Sequence, residues 1–294
     1  MMRLRPVILI PFIWLALFFL APLLIVVRLA LSESAQARPP YRPVFGWSDG
    51  LAVWLEKLKT LSLGNFEFLA SEPLYADAFL SSIRLAALGT ALVLLIAYPI
   101  AYAIAKAPRD KRLFLLTLIV VPFWTSFLIR IYAWIALLKP EGLINHALMQ
   151  MGWIERPLPI FGNDLAIVIG IAYSYLPFMV LPLYAALEKL DWSLEEAARD
   201  LGATRLRAFW RVTFPQTKRG IIAGLLLVFV PALGEFIIPD LLGGSDSLMI
   251  GKVLWSEFFA NRDWPMAASI AMALLVLLAL PLAALRTFED REAR

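Results

Sequence analysis

Six long apolar runs divide the chain: Val7–Leu31, Ile83–Ala105, Leu113–Leu138, Leu165–Leu187, Ile221–Leu242 and Met266–Leu285. Each holds 20 to 26 residues, enough to cross a hydrocarbon core of about 30 Å at about 1.5 Å per residue. That core offers no water to open backbone groups, so each run is predicted to be a helix. The first run follows Arg3 and Arg5, and Ala35-Gln36-Ala37 mimics a cleavage site. Its apolar stretch exceeds the roughly 7–15 residues of a signal-peptide core, so it reads as a retained span. Every run contains proline: Pro11 and Pro22, Pro99, Pro122, Pro177 and Pro182, Pro231 and Pro239, and Pro281. Proline frees a carbonyl and kinks a helix, which membrane helices tolerate where neighbours or a cavity satisfy the freed group.

The polar stretches between the runs set the orientation. Pieces 1–6, 106–112, 188–220 and 286–294 carry 16 lysines and arginines in 55 residues, against 8 in 100 for 32–82, 139–164 and 243–265. Positive charge stays on the cytoplasmic side, so both termini are expected in the cytoplasm. Composition agrees with a membrane protein: 61% of the 294 residues are hydrophobic and 17% charged, and the mean hydropathy is +0.76. The net charge of +4 lies between apolar blocks rather than on one polar face, which argues against nucleic acid as a partner. With no cysteine and only His146 as histidine, disulfides, thiol chemistry and sites needing two imidazoles are excluded. The expectation is an all-α chain of six transmembrane helices forming one domain over 1–294, in contact with membrane lipid.

The loop 188–220 carries the most local information. Ser193 and Glu196 have capping-box spacing and are predicted to open a helix. Leu194, Ala197, Ala198 and Leu201 then give it a narrow apolar stripe. Gly202 is placed to end it, since glycine enters the left-handed conformation without steric cost. Thr204 is placed to cap a second short helix carrying Leu206, Phe209 and Trp210, with Pro215 as its expected stop. The product is a helix–elbow–helix module studded with Arg199, Arg205, Arg207 and Arg211. Physics alone leaves two readings for it, a lipid-anchored interfacial helix or an apolar face offered to a partner groove.

Glu196-Ala197-Ala198, three residues, Gly202, nine residues and Val212-Thr213-Phe214-Pro215 resemble the E-A-A-x-x-x-G-x9-I-x-L-P signature of binding-protein-dependent ABC importer permeases, with Val212 for Ile and Phe214 for Leu. In that family this segment is the coupling helix, which docks into a cleft on the cytoplasmic ATPase. The resemblance therefore implies ATPase-coupling roles for Glu196, Ala197, Ala198, Gly202, Arg205 and Pro215. The runs Leu176–Tyr184 and Gly234–Gly244, with Asn261-Arg262-Asp263-Trp264-Pro265, further resemble the polyamine (spermidine/putrescine) permeases.

This likeness implies a type I ABC importer permease fold and vectorial transport rather than catalysis. It also implies a second homologous permease subunit, a cytoplasmic ATPase dimer holding the ATP and magnesium, and a periplasmic substrate-binding protein. The setting implied is the bacterial cytoplasmic (inner) membrane. The chain itself has no G-x-x-x-x-G-K-[ST] phosphate loop, so no cofactor, catalytic residue or metal ligand is expected on it. Gly220 and Gly224 form a G-x-x-x-G that suits close helix packing, either against that second permease or within the chain.

Charges within the runs supply the candidate substrate path. Glu235 is the one carboxylate well inside a run, where an ionisable group is costly unless it faces protein or water. It reads either as a cation site or as half of an ion pair, with Arg130 or with an arginine of a partner subunit. Asp240 lies near the outer mouth of the same run, about 140° from Glu235 on an ideal helix, with Pro239 between them. Phe236 adds a ring face, and Trp255 heads an aromatic set with Phe258, Phe259 and Trp264. Such rings attract ammonium groups and also form ordinary interfacial belts.

Overall fold

The computed structural model describes residues 6–46, 48–245 and 247–292, the side chains of 6–8 and 280–292 excepted; Arg3 and Arg5 lie outside the described residues. The first predicted run is helical throughout, as α1 (Pro6–Leu15), a π-turn over Ala16–Leu20, and α2 (Ala21–Ala30). The stretch between the first and second runs is more ordered than a sequence without periodicity suggests. It holds a two-stranded hairpin (β1, Glu33–Ser34; β2, Tyr41–Arg42), then α3 (Leu51–Lys59) and α4 (Gly64–Ser71). The second run is part of α5 (Pro73–Lys106), which starts ten residues before the expected Ile83. The sequence signal was hydropathy, and the extra turns are polar enough to lie below it.

The third run is not one helix. It divides into α6 (Arg109–Val120), a 3₁₀ turn over Val121–Trp124 and α7 (Phe127–Leu138), continued by α8 (Leu143–Gln150). The two parts are bent by 90°. Pro122 opens the break, where it removes a backbone donor. The fourth run matches α9 (Asp164–Glu188), whose start is capped by the side chain of Asn163 accepting from the Leu165 and Ala166 amides.

Beyond it lie α10 (Ser193–Asp200), α11 (Arg205–Ala208), a π-turn over Phe209–Thr213, and α12 (Phe214–Gln216). The fifth run is α13 (Lys218–Leu233) and, after a break, α14 (Ile237–Leu241). Then come α15 (Ile250–Trp255), a π-turn over Ser256–Ala260 and α16 (Trp264–Glu292), which contains the sixth run. Three helices are long and apolar enough to span a membrane as they stand, and up to five if each bent pair counts as one span. The apolar helix Trp264–Ala279 comes in addition, among the described residues.

The chain forms two compact units, Met1–Phe79 with Ile250–Arg294, and Leu80–Met249. In the first, α16 packs along α2, and the Ser269 hydroxyl donates to the Ala30 carbonyl at 3.0 Å. Asn65 donates to the Ala30 and Ser32 carbonyls at 2.9 and 2.7 Å, closing the end of α2. Most of the side chains over Leu9–Leu20 are exposed, as on an apolar helix that lipid would cover.

In the second unit α9 is the centre. Ile167, Ile171, Met179, Leu183 and Leu187 along it are fully buried. α13 packs against it through the two glycines of the G-x-x-x-G. A Cβ on Gly220 would lie 2.5 Å from the Ala186 Cβ and 2.8 Å from the Pro182 carbonyl oxygen, and one on Gly224 would strike Met179. Of the two uses open to this motif, the structure realises packing within the chain.

Candidate functional site

The elbow is built largely as its local chemistry predicts. Gly202 has φ +89°, and nothing lies within 4 Å of the place where a Cβ would stand. Its amide donates to the Arg199 carbonyl at 2.9 Å, and that of Ala203 to Ala198 at 3.0 Å, the paired bonds of a Schellman stop. The Thr204 hydroxyl caps α11 by accepting from the Arg207 amide at 3.3 Å.

Two expectations fail. The Ser193–Glu196 capping box does not form; the turn is opened by Asp191, whose Oδ1 accepts from the Ser193 amide at 3.0 Å. Hydrogen bonds from Ser193 hold the Asp191 carboxyl below its usual range. Nor does Pro215 stop the second helix. The helical stretch runs one residue past it, through Gln216, and the chain bends by 67° between Gln216 and Lys218.

The module presents its apolar residues outward. Leu201 is 91% exposed and Leu206 69%, and Leu194, Glu196, Ala197 and Arg205 are exposed beside them, with Ala198 and Pro215 half-buried. A patch of this kind on a folded surface is suited to a partner or to lipid. The face turned inward is held by residues that sequence reasoning missed. Glu195, 8% exposed, accepts from the Lys106 ammonium at 3.0 and 3.1 Å. It also accepts from the Tyr102 and Thr213 hydroxyls, each at 3.3 Å. No periodicity pairs positions 89 residues apart, and Glu195 resembles its exposed neighbour Glu196.

At the predicted substrate path, the fifth run unwinds at Gly234–Phe236, upstream of Pro239 rather than at it. Glu235 is half-buried in this break. Its Oε1 accepts from the Phe236, Ile237 and Ile238 amides at 3.1, 3.0 and 3.4 Å. Its Oε2 accepts from the Tyr175 hydroxyl at 2.6 Å. The carboxylate thus caps α14, and its charge faces the positive end of the helix dipole.

Of the ion-pair alternatives, the one with Arg130 is not made. The Arg130 guanidinium lies 4.3 Å from the Phe123 ring centroid and 5.7 Å from that of Phe127. Its buried Nε and Nη1 have no hydrogen-bond partner among the described residues. Asp240 is exposed on α14, its amide bonded to the Phe236 carbonyl at 3.0 Å. Glu235, Phe236 and Asp240 therefore share one short break-and-helix segment rather than a continuous helix. Trp255 belongs to the other compact unit, with its ring 4.0 Å from that of Phe259. Phe258 links this pair to Trp264, at 4.9 and 5.3 Å between centroids.

The sequence profile of the binding-protein-dependent transport system inner membrane components matches residues 4–292. The chain belongs to this family. It is 47% identical over 208 residues to the spermidine/putrescine transport system permease protein PotB of Haemophilus influenzae, covering 71% of this chain and 73% of that protein. Against PotB of Escherichia coli the identity is 45% over 221 residues, 75% of this chain and 80% of the relative. Among solved structures, a bacterial ABC transporter involved in the import of the acidic polysaccharide alginate superposes with a TM-score of 0.67 at 17% identity, over 98% of this chain and 95% of that one. The fold is that of a helical type I ABC permease.

Proposed function

We propose that this chain is the membrane-spanning permease subunit of an ATP-driven, binding-protein-dependent importer that carries putrescine or spermidine into the cytoplasm. The observation that carries the substrate class is the extent of likeness to permeases named for spermidine and putrescine transport, 45–47% identity across most of the chain. The geometry is compatible with a cationic cargo. A polyamine must shed water to enter the membrane and needs fixed negative charge along its route. Asp240 at the outer end and Glu235 in the break of the fifth run supply it, and Phe236 adds a ring face.

In this reading the chain is a single permease domain over 1–294 with six spans, the bent pair α6–α7 counting as one span and the interrupted helix α13–α14 as another. Both termini lie in the cytoplasm of a bacterial inner-membrane protein. The elbow is the coupling helix, and Leu201, Leu206, Glu196, Ala197 and Arg205 form its docking face. The partners are a second homologous permease, an ATPase dimer that binds ATP and magnesium, and a periplasmic binding protein. The test is the ATPase rate of the reconstituted complex. Binding protein loaded with spermidine should raise it above the rate with unloaded binding protein, and an equal rate with and without polyamine would contradict the assignment.

A further inference from the structure

The elbow is fastened to the rest of its unit along one stripe of α5. Tyr98, Tyr102 and Lys106 recur every four residues and so stand on one helix face. Tyr98 bonds the Thr217 hydroxyl at 2.9 Å, where α13 begins, and packs against Phe209 and Phe214 with centroids at 5.5 and 5.8 Å. Tyr102 packs edge-on against Trp192 and Phe209 at 5.7 and 5.8 Å. The Lys106 ammonium lies 4.7 Å from the Trp192 ring centroid and 4.8 Å from that of Tyr102. Glu195 is the junction. From α10, the first arm of the elbow, its carboxylate reaches Thr213 in the second arm and Tyr102 and Lys106 on α5.

We infer that Glu195 is a positioning residue, the pin through which a push on the elbow's exposed face is delivered to α5. A partly buried charge held by an ammonium and two hydroxyls resists sliding more strongly than apolar contacts do, because any shift leaves the carboxylate short of donors. The ring contacts of Tyr98 and Tyr102 provide area, and the carboxylate provides direction. The two arms and α5 then move as one body, and the free ends of that body are the docking face on one side and the long apolar helix on the other. This rests on reading the elbow as the coupling helix. It adds that Glu195, turned away from the docking face, transmits rather than docks.

The complete transporter, with its second permease, ATPase and binding protein, is reconstituted in proteoliposomes, and ATP hydrolysed per polyamine imported is measured. Glu195→Gln should raise that ratio at least about fivefold, the low end of ordinary coupling between sites. Lys106→Met, which removes the partner without touching the elbow, should do the same. The exchanged pair Glu195→Lys with Lys106→Glu should bring the ratio back toward wild type, which a loss of fold would not. Separately, because the chain has no native cysteine, Ala197→Cys on the docking face should cross-link to the ATPase. If that cross-link forms yet Glu195→Gln and Lys106→Met keep the wild-type ratio, or the exchange restores nothing, the pin is wrong and the docking reading stands. If the cross-link does not form, the docking reading falls and the pin with it.

Discussion

Tyr175 donates to the carboxylate of Glu235 at 2.6 Å, across the break that ends α13. With the three backbone amides on Oε1, this hydroxyl holds the Glu235 carboxylate in place. In the proposed reading this carboxylate draws in a passing polyammonium while keeping its own place in the fold.

Two substitutions at Glu235 should therefore separate. Glu235→Gln keeps the shape and one carbonyl acceptor for the α14 amides, so the complex should assemble while polyamine uptake falls by about tenfold or more, the loss of a buried charge-assisted contact. Glu235→Ala also removes the cap and should lower thermal stability by about 1 kcal/mol. Wild-type uptake by Glu235→Gln in purified transporter would exclude a substrate role.

Asp240→Asn should reduce uptake less than Glu235→Gln does. Asp240 is exposed at the end of α14, where solvent and salt screen its charge. Its deficit should shrink as ionic strength rises, measured as initial uptake rate against salt concentration. A deficit equal to that of Glu235→Gln at every salt concentration would contradict this ordering.

At Gly202 the surroundings are empty and the backbone alone sets the requirement. A side chain has room but must adopt φ near +89°, a strain of order 1 kcal/mol or more for a β-branched residue. Gly202→Val should leave the permease inserted and stable while abolishing transport-stimulated ATP hydrolysis. Normal stimulation would remove the elbow from the coupling pathway.

The opposite holds at Gly220, where the conformation is ordinary and space is lacking. Gly220→Val forces α13 away from Pro182 and Ala186 and should cost about 1–3 kcal/mol. The loss should appear as a lower melting temperature of the isolated subunit in detergent. A loss of subunit association with unchanged melting would point instead to an intersubunit role.

The parts of this architecture that sequence reveals are those decided by near neighbours. Apolar runs mark spans because lipid selects them residue by residue, and Gly202 and Thr204 mark the elbow because their turn chemistry acts within five residues. The breaks at Val121–Ser126 and Gly234–Phe236 were hidden because proline permits a kink without requiring one, and every run has proline. At Glu235 the residue was legible but its partners were not. Tyr175 lies 60 residues away on α9, and the amides that Glu235 caps become free donors only once the helix unwinds. Glu195 stayed invisible for the same reason, since its role exists only where the end of α5 meets the elbow.

The most direct test of the central claim is ATP-dependent accumulation of radiolabelled spermidine and putrescine in proteoliposomes holding this chain with its second permease, the ATPase and the binding protein. The account predicts accumulation of at least one of the two that requires both ATP and binding protein and is reduced by Glu235→Gln. No accumulation of either, alongside ATP-driven uptake of an anion such as sulfate by the same vesicles, would contradict it.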